Sequence, residues 1–116
     1  PDNKIEVFAD KNQLLRVFNN VIKNAIQAIP DDRKGVIAIT LQMAEHRAMV
    51  KVADNGKGIP DYEKDKVFVP NFTTKSSGMG IGLAMCKNIV ESAGGYIWFE
   101  SNEGEGTIFF IELPVI

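Results

Sequence analysis

A chain of 116 residues, 45% hydrophobic and 24% charged, has the size and composition of one soluble globular domain. Its formal net charge of −2 argues against a nucleic-acid-binding surface, which is normally basic. The single cysteine, Cys86, excludes an internal disulfide and fits a reducing compartment, and no apolar run reaches membrane-spanning length. No signal peptide is visible, and a chain that starts at Pro1 without a methionine is expected to be a fragment of a longer protein.

In chain order, "NKIEVFAD" alternates as a short strand, with Ile5, Val7 and Ala9 on one face. Asp10 followed by Gln13 reads as a capping box, opening a helix that runs to about Ile29, before Pro30. Leu14, Phe18, Val21, Ile22, Ala25 and Ile29 form its core-facing stripe. "VIAITLQM" places Ile37, Ile39, Leu41 and Met43 on one face of a strand, and "AEHR" turns it into "AMVKVAD" as a hairpin. Residues 60–80 lack a clean period and mix charge with Pro, Ser, Thr and Gly, which predicts a long mobile loop with a functional role. "GIGLAMCKNIVESAGG" is a second helix burying Gly82, Met85, Cys86, Ile89, Val90 and Ala93, and Gly94 and Gly95 stop it. "YIWFES" and "GTIFFIEL" follow as strands joined by "NEGEG". The order predicts an α+β fold of two layers, helices on one face of a mixed sheet.

Counting back by twos from Asp54, Val52 and Val50 share its face, so a carboxylate projects from an apolar layer and needs a donor. Thr107 shares a face with Phe109, Ile111 and Leu113. A carboxylate and a hydroxyl at the rim of such a layer can read the amine and ring nitrogen of adenine. Alternatively Asp54 serves only the Asn-Gly turn that follows it. Gly56 and Gly58 permit close approach of a ligand, and Gly78, Gly80 and Gly82 open the second helix as an anion site for phosphates. These last glycines follow a loop rather than a strand, against a dinucleotide fingerprint, and the P-loop Lys and Ser/Thr are missing. Asn20, Asn24 and Gln27 line one stripe of the first helix, where each Asn costs roughly half a kcal/mol against Ala. Their amide oxygens suit a hard cation such as Mg²⁺; the alternative is a solvated polar face.

Taken together and in order, these segments resemble the catalytic ATP-binding domain of sensor histidine kinases, within the GHKL superfamily, over nearly the whole chain. "NNVIKNAIQAI" is similar to the N box, "DNGKGI" to the first glycine box and "VFVPNFTTK" to the F box. "GMGIGL" and "GEGT" are similar to the later glycine boxes. The resemblance implies a two-layer α/β sandwich with a mostly antiparallel mixed sheet, a mobile ATP lid over about 60–80, and one domain spanning residues 1–116. It implies ATP and Mg²⁺ as cofactors. Asn24 would ligate the metal, with Asn20 one turn away, both counted as catalytic. Asp54 would take the adenine amine, with Gly58 and Thr107 completing the pocket. Phe68 and Phe72 would anchor the lid, and Lys75 with Gly80 and Gly82 would approach the triphosphate. Gly56, Ile59, Thr74, Gly78, Ile81 and Leu83 complete the expected nucleotide-contacting set. Asn71 and Met79 depart from residues common in the lid, and Gln27 stands where many relatives carry a basic residue.

In the ATPase relatives a Glu one turn before the metal-binding Asn activates water; here that position is Asn20. An amide cannot take that proton, and a positioned base contributes about 10² to 10⁴ in rate, so the resemblance favours a kinase over a hydrolase. His46, the only histidine, falls in the predicted hairpin turn and is a poor acceptor. The acceptor histidine is expected on a separate dimerisation domain of the same kinase, with a response regulator downstream and a homodimeric parent protein. This part is expected in the cytoplasm, whether or not the parent is anchored in the inner membrane. The competing classes are a GHKL ATPase or anti-sigma-type serine kinase, and a non-catalytic module switched by nucleotide.

Overall fold

The computed structural model describes residues 10–69 and 79–115. Asp10 takes an extended conformation, and its carboxylate accepts from the backbone N–H of Asn12 (2.9 Å) and Gln13 (3.2 Å). This satisfies two of the four N–H groups that a helix start leaves unpaired. Only half of the predicted capping box forms, because the Gln13 carboxamide accepts from Arg16 (3.3 Å) instead of reaching back. Helix α1 then runs Lys11–Gln27 with Ala28 as its C-cap, ending slightly earlier than expected. Its fully buried residues are Val17, Val21 and Ala25, spaced four apart, with Leu14, Phe18 and Ile22 partly buried beside them. Val17 was missing from the predicted stripe, yet it lies one turn before Val21 and centres that stripe on the core.

Strands β1 (Ile37–Ala44) and β2 (Arg47–Asp54) form the expected hairpin, and Glu45 takes a left-handed φ of 56° in its turn. A short 3₁₀ helix, Asp61–Lys66, occupies the first part of the predicted loop. It delivers Val67 into the core and Phe68 against Phe99 and Phe109, with ring centroids 5.9 and 6.3 Å away. Helix α2 (Met79–Ser92) buries Leu83, Ala84, Cys86 and Val90. Burial pushes the Cys86 thiol up to about 11, so this cysteine is an inert packing residue. Strands β3 (Tyr96–Asn102) and β4 (Gly106–Pro114) complete the sheet. The predicted first strand, residues 3–10, lies outside the described residues except for Asp10, and the part of the lid carrying Phe72, Thr74, Lys75 and Gly78 lies outside them as well.

The four described strands are all antiparallel, in the order β1-β2-β4-β3. Both helices pack on one face of β2, β4 and β3, as a two-layer α+β fold requires. The register stacks that face in rows: Val52, Phe109 and Phe99, then Val50, Ile111 and Ile97. Phe109 and Ile111 are completely enclosed. Ile39, Leu41 and Met43 lie opposite Val52, Val50 and Ala48, so the expected face is right, but each stays 50% exposed or more. The helix layer ends over β2 and leaves the apolar stripe of this outer strand open. On the other face Trp98 stacks on Phe110 at 5.1 Å and 7°.

Truncating the centre of this core should be costly, since Phe→Ala at an enclosed site removes about 3–5 kcal/mol. Urea titration of Phe109→Ala is expected to show a midpoint shift of that size with an unchanged slope. A shift below about 1 kcal/mol would contradict the placement of Phe109 at the core's centre.

Candidate functional site

The end of the sheet carries one polar row. Asp54 of β2 is paired with Thr107 of β4, and Thr107 with Ser101 of β3. All three lie one pleat beyond the Val52, Phe109 and Phe99 row, so they share its face and form its rim. Thr107 and Ser101 are buried, and their hydroxyl oxygens are 2.8 Å apart. Ser101 donates to the Gly106 carbonyl (3.0 Å) and accepts from the Ile59 N–H (2.8 Å). With its one hydrogen committed to Gly106, it takes the Thr107 hydroxyl proton as well. The Thr107 oxygen then keeps lone pairs for a ligand. Ser101 was not among the sequence candidates; the signal that could have found it is its place two and four residues beyond Phe99 and Ile97.

The turn after Asp54 is locked on two sides. Gly56 donates its N–H to Asp54 Oδ1 (2.8 Å), and a Cβ there would lie 2.6 Å from the Ala28 carbonyl oxygen. The next N–H, of Lys57, bonds that same Ala28 carbonyl (2.9 Å), so the end of α1 seats the turn. Gly58 sits at φ 75°, a left-handed conformation in which a Cβ would also collide with the Asn102 carbonyl. The Lys57 carbonyl in turn accepts from Gly104 (2.7 Å) in the β3–β4 turn. The glycines of "DNGKGI" are thus required by close approach of two backbones, whatever else they admit.

On α1, Asn20 and Asn24 are half-buried on the rim of the core stripe, whereas Gln27 is exposed. Asn20 bonds its own helix, Nδ2 donating to the Arg16 carbonyl (2.9 Å), and its Oδ1 faces Gly82 so closely that a Cβ there would overlap it. The first turn of α2 therefore lies against the amide face of α1. Four N–H groups of that turn have no partner within the helix, which suits an anion. Leu83 turns its side chain into the core, so a ligand could meet only its backbone. Ile59 and Phe68 pack on the core below the polar row, and Lys87 places its ammonium 5.8 Å from the Phe68 ring centre. Gly80 lies in the first turn of α2; Phe72, Thr74, Lys75 and Gly78 fall outside the described residues. Among the described residues no three His, Cys, Asp or Glu side chains cluster to hold a metal. A cation here would have to rely on amide oxygens and the ligand itself. The cavity of about 540 Å³ between the start of α1 and the end of α2, lined by Leu14, Ile89 and Ala93, contains none of these residues.

Comparison with known proteins places this arrangement. Residues 9–116 match the family described as histidine kinase-, DNA gyrase B-, and HSP90-like ATPase. The sensor histidine kinase ZraS of Escherichia coli is 44% identical over 98% of this chain, which spans 24% of that protein's length. Sporulation kinase A of Bacillus subtilis is 39% identical over 97% of the chain and 18% of its own length. Among solved structures, the catalytic domain of histidine kinase ThkA superposes with a TM-score of 0.80 at 39% identity, covering 93% of this chain and 70% of that one. A mycobacterial sensor histidine kinase, MprB, gives 0.84 at 29% identity over 96% of this chain and 78% of that one.

Burial raises the Asp54 carboxyl above its ordinary 3.8, and hydrogen bonds from the Gly56 and Thr107 backbone pull it only part of the way back. A carboxyl raised by folding is stabilising while protonated. That contribution is complete below 3.8 and is lost as pH rises through the raised folded value. At neutral pH the ionised group therefore costs stability, and Asn in its place keeps an oxygen for the Gly56 N–H. Thermal melts of Asp54→Asn at pH 7.5 are expected at or above the wild-type midpoint, with the gap closing as pH falls toward 4. A clearly lower midpoint at neutral pH would mean that the carboxylate is held for structure rather than at structural cost.

Proposed function

Because the chain belongs to the family of histidine kinase-, DNA gyrase B- and HSP90-like ATPases, we propose that it is the catalytic ATP-binding domain of a sensor kinase, donating the γ-phosphate to a histidine on another domain. The observation that carries the reading is the polar row of Asp54, Thr107 and Ser101 at the rim of an apolar layer. Gly56 and the backbone of Thr107 occupy part of the Asp54 carboxylate, which leaves acceptor capacity for the amine of adenine. Thr107 offers a second oxygen beside it, and Val52, Phe109 and Phe99 lie on the next pleat beneath. A guanine, with a carbonyl in place of that amine, would set oxygen against oxygen.

The triphosphate would run from this rim toward the first turn of α2, where Gly80 and Gly82 offer backbone N–H groups, with Lys75 as a further contact. Asn24 fits as a Mg²⁺ ligand because it carries an amide oxygen, is half-buried, and stands one helical turn from Asn20, whose own oxygen meets Gly82 of that turn. The ion, when bound, would offset phosphate charge. Asn20 cannot act as a base, since the nitrogen lone pair of a carboxamide is delocalised and its oxygen is not protonated near neutral pH; the NH₂ group serves instead as a donor to the Arg16 carbonyl. In-line positioning of the γ-phosphate for an external nucleophile is then the chemistry that this site supports. His46 sits in the hairpin turn beside Arg47, which stands seven residues along β2 from Asp54, so about 23 Å from it at strand rise. It is too remote to receive the phosphoryl group within one chain. The partners proposed are a histidine-bearing dimerisation domain of the same kinase and a response regulator, within a homodimeric parent protein whose catalytic part faces the cytoplasm.

Isothermal calorimetry with the 116-residue chain is expected to show ATP and ADP binding, no comparable GTP binding, and at least tenfold weaker ATP binding in Asp54→Asn. Equal affinity for GTP, or an unaffected Asp54→Asn, would remove the adenine assignment. With radiolabelled ATP the chain alone is expected to turn over very slowly. Mixed with a matching histidine-bearing helical domain, it should give acid-labile, base-stable label on that domain. Asn24→Ala should abolish transfer and His46→Ala should leave it intact. Rapid hydrolysis by the chain alone, or label held on His46, would restore the ATPase or self-modifying alternatives.

A further inference from the structure

Arg33 follows α1 in a connecting segment that no motif covers, yet its side chain reaches the glycine turn after Asp54. Its Nη1 donates to the carbonyls of Asn55 (2.9 Å), Gly56 (3.2 Å) and Gly104 (3.2 Å). The first of these acceptors is the informative one. The Asn55 carbonyl and the Gly56 N–H belong to one planar peptide group. The N–H end of that group donates to Asp54 Oδ1 at 2.8 Å. A continuous path therefore runs from guanidinium to carbonyl, across one peptide, and from its N–H to the carboxylate. A cation on the carbonyl end polarises the peptide and strengthens the bond made by its N–H. It also opposes rotation of the peptide plane, which would turn that N–H away from Asp54.

The rest of the segment is built to hold Arg33 in place. Asn55 Oδ1 accepts from the Val36 N–H (2.8 Å) and its Nδ2 donates to the Lys34 carbonyl (2.9 Å), while the Asn55 N–H bonds the Val36 carbonyl (3.2 Å). The segment is thus zipped to Asn55 immediately after the arginine, at Lys34 and Val36. The contact with Asp32, at 3.4 Å from a residue whose side chain is 75% exposed, adds little.

We propose that Arg33 is a positioning residue for base recognition: through the Asn55–Gly56 peptide it fixes the carboxylate of Asp54 in the orientation that meets the adenine amine. This rests on the reading of Asp54 as the adenine contact. It concerns the base end of the site alone. Among the described residues Arg33 bonds only Asp32, Asn55, Gly56 and Gly104, and none of these belongs to the α2 turn or is Asn24, which would serve the phosphates. A merely structural staple would weaken both ends alike.

The test uses the 116-residue chain with three probes in calorimetry: ATP, adenosine, and Mg²⁺ with inorganic tripolyphosphate. Arg33→Ala is expected to weaken ATP and adenosine by the same factor, about tenfold, and to leave tripolyphosphate unchanged. Arg33→Lys, which can still reach a carbonyl with one donor, should recover part of the loss. In the ligand-free protein, amide exchange at Gly56 should quicken in Arg33→Ala while that of β4 stays as in the wild type. Equal weakening of adenosine and tripolyphosphate, or a melting midpoint too low to measure binding in both variants, would make Arg33 a stability residue and overturn the proposal. Wild-type adenosine affinity in Arg33→Ala would overturn it while leaving the nucleotide reading standing. A wild-type chain that binds neither ATP nor adenosine would remove both.

Discussion

A carboxylate at the mouth of an apolar layer is the constraint on which the surrounding structure turns. Asp54 ends a strand whose preceding same-face residues, Val52 and Val50, belong to the core, so it cannot simply point at water. Desolvation works against its charge, and the compensating donors come from the backbone. Supplying them forces the chain into a sharp turn, and the turn must fit between the end of α1 and the β3–β4 connection. The left-handed Gly58, the bonds from Lys57 and Gly104, and the hydroxyl pair across the sheet all follow from housing that charge. A protein selected for stability alone would have placed an apolar or amide side chain there.

How much of this was legible beforehand depended on the range of the interaction. Period-two alternation put Asp54 and Thr107 on the buried face correctly, because strand geometry is local and fixes facing without knowledge of neighbours. The cap at Asp10 and the two helices were readable for the same reason. Burial of β1 was not: its alternation is as clean as that of β4, but whether a helix covers Ile39 and Leu41 is decided by how far two helices extend across the sheet. The six-residue 3₁₀ helix was missed because it is too short to show a period. Ser101 and Arg33 escaped notice because what distinguishes them is a partner many residues away. Their contacts reach Ile59 and Gly104 respectively, and no short pattern encodes such a meeting.

The two ends of the site are built on different principles. At the proposed base end, side chains are held by backbone groups in an antiparallel register, which leaves little freedom. At the proposed phosphate end, the groups on offer are main-chain donors at a helix terminus and one amide side chain on the facing helix. A rigid end and a more open end coexist in one domain because α1 braces both. Its C-terminal Ala28 braces the glycine turn, while its middle, at Asn20, meets α2.

That meeting at Asn20 and Gly82 has an evolutionary corollary. The Asn20 oxygen already fills the space that a Cβ at position 82 would need, and its amide nitrogen is anchored to the preceding turn. A larger residue at position 82 would require the Asn20 amide to turn aside and give up its present bond. A glutamate at 20, longer by one methylene, would press on the same volume. A replacement at 20 that carries its oxygen farther therefore presses on the opening turn of α2 as well. The two positions form one heritable unit, and drift at either is expected to be recorded at the other.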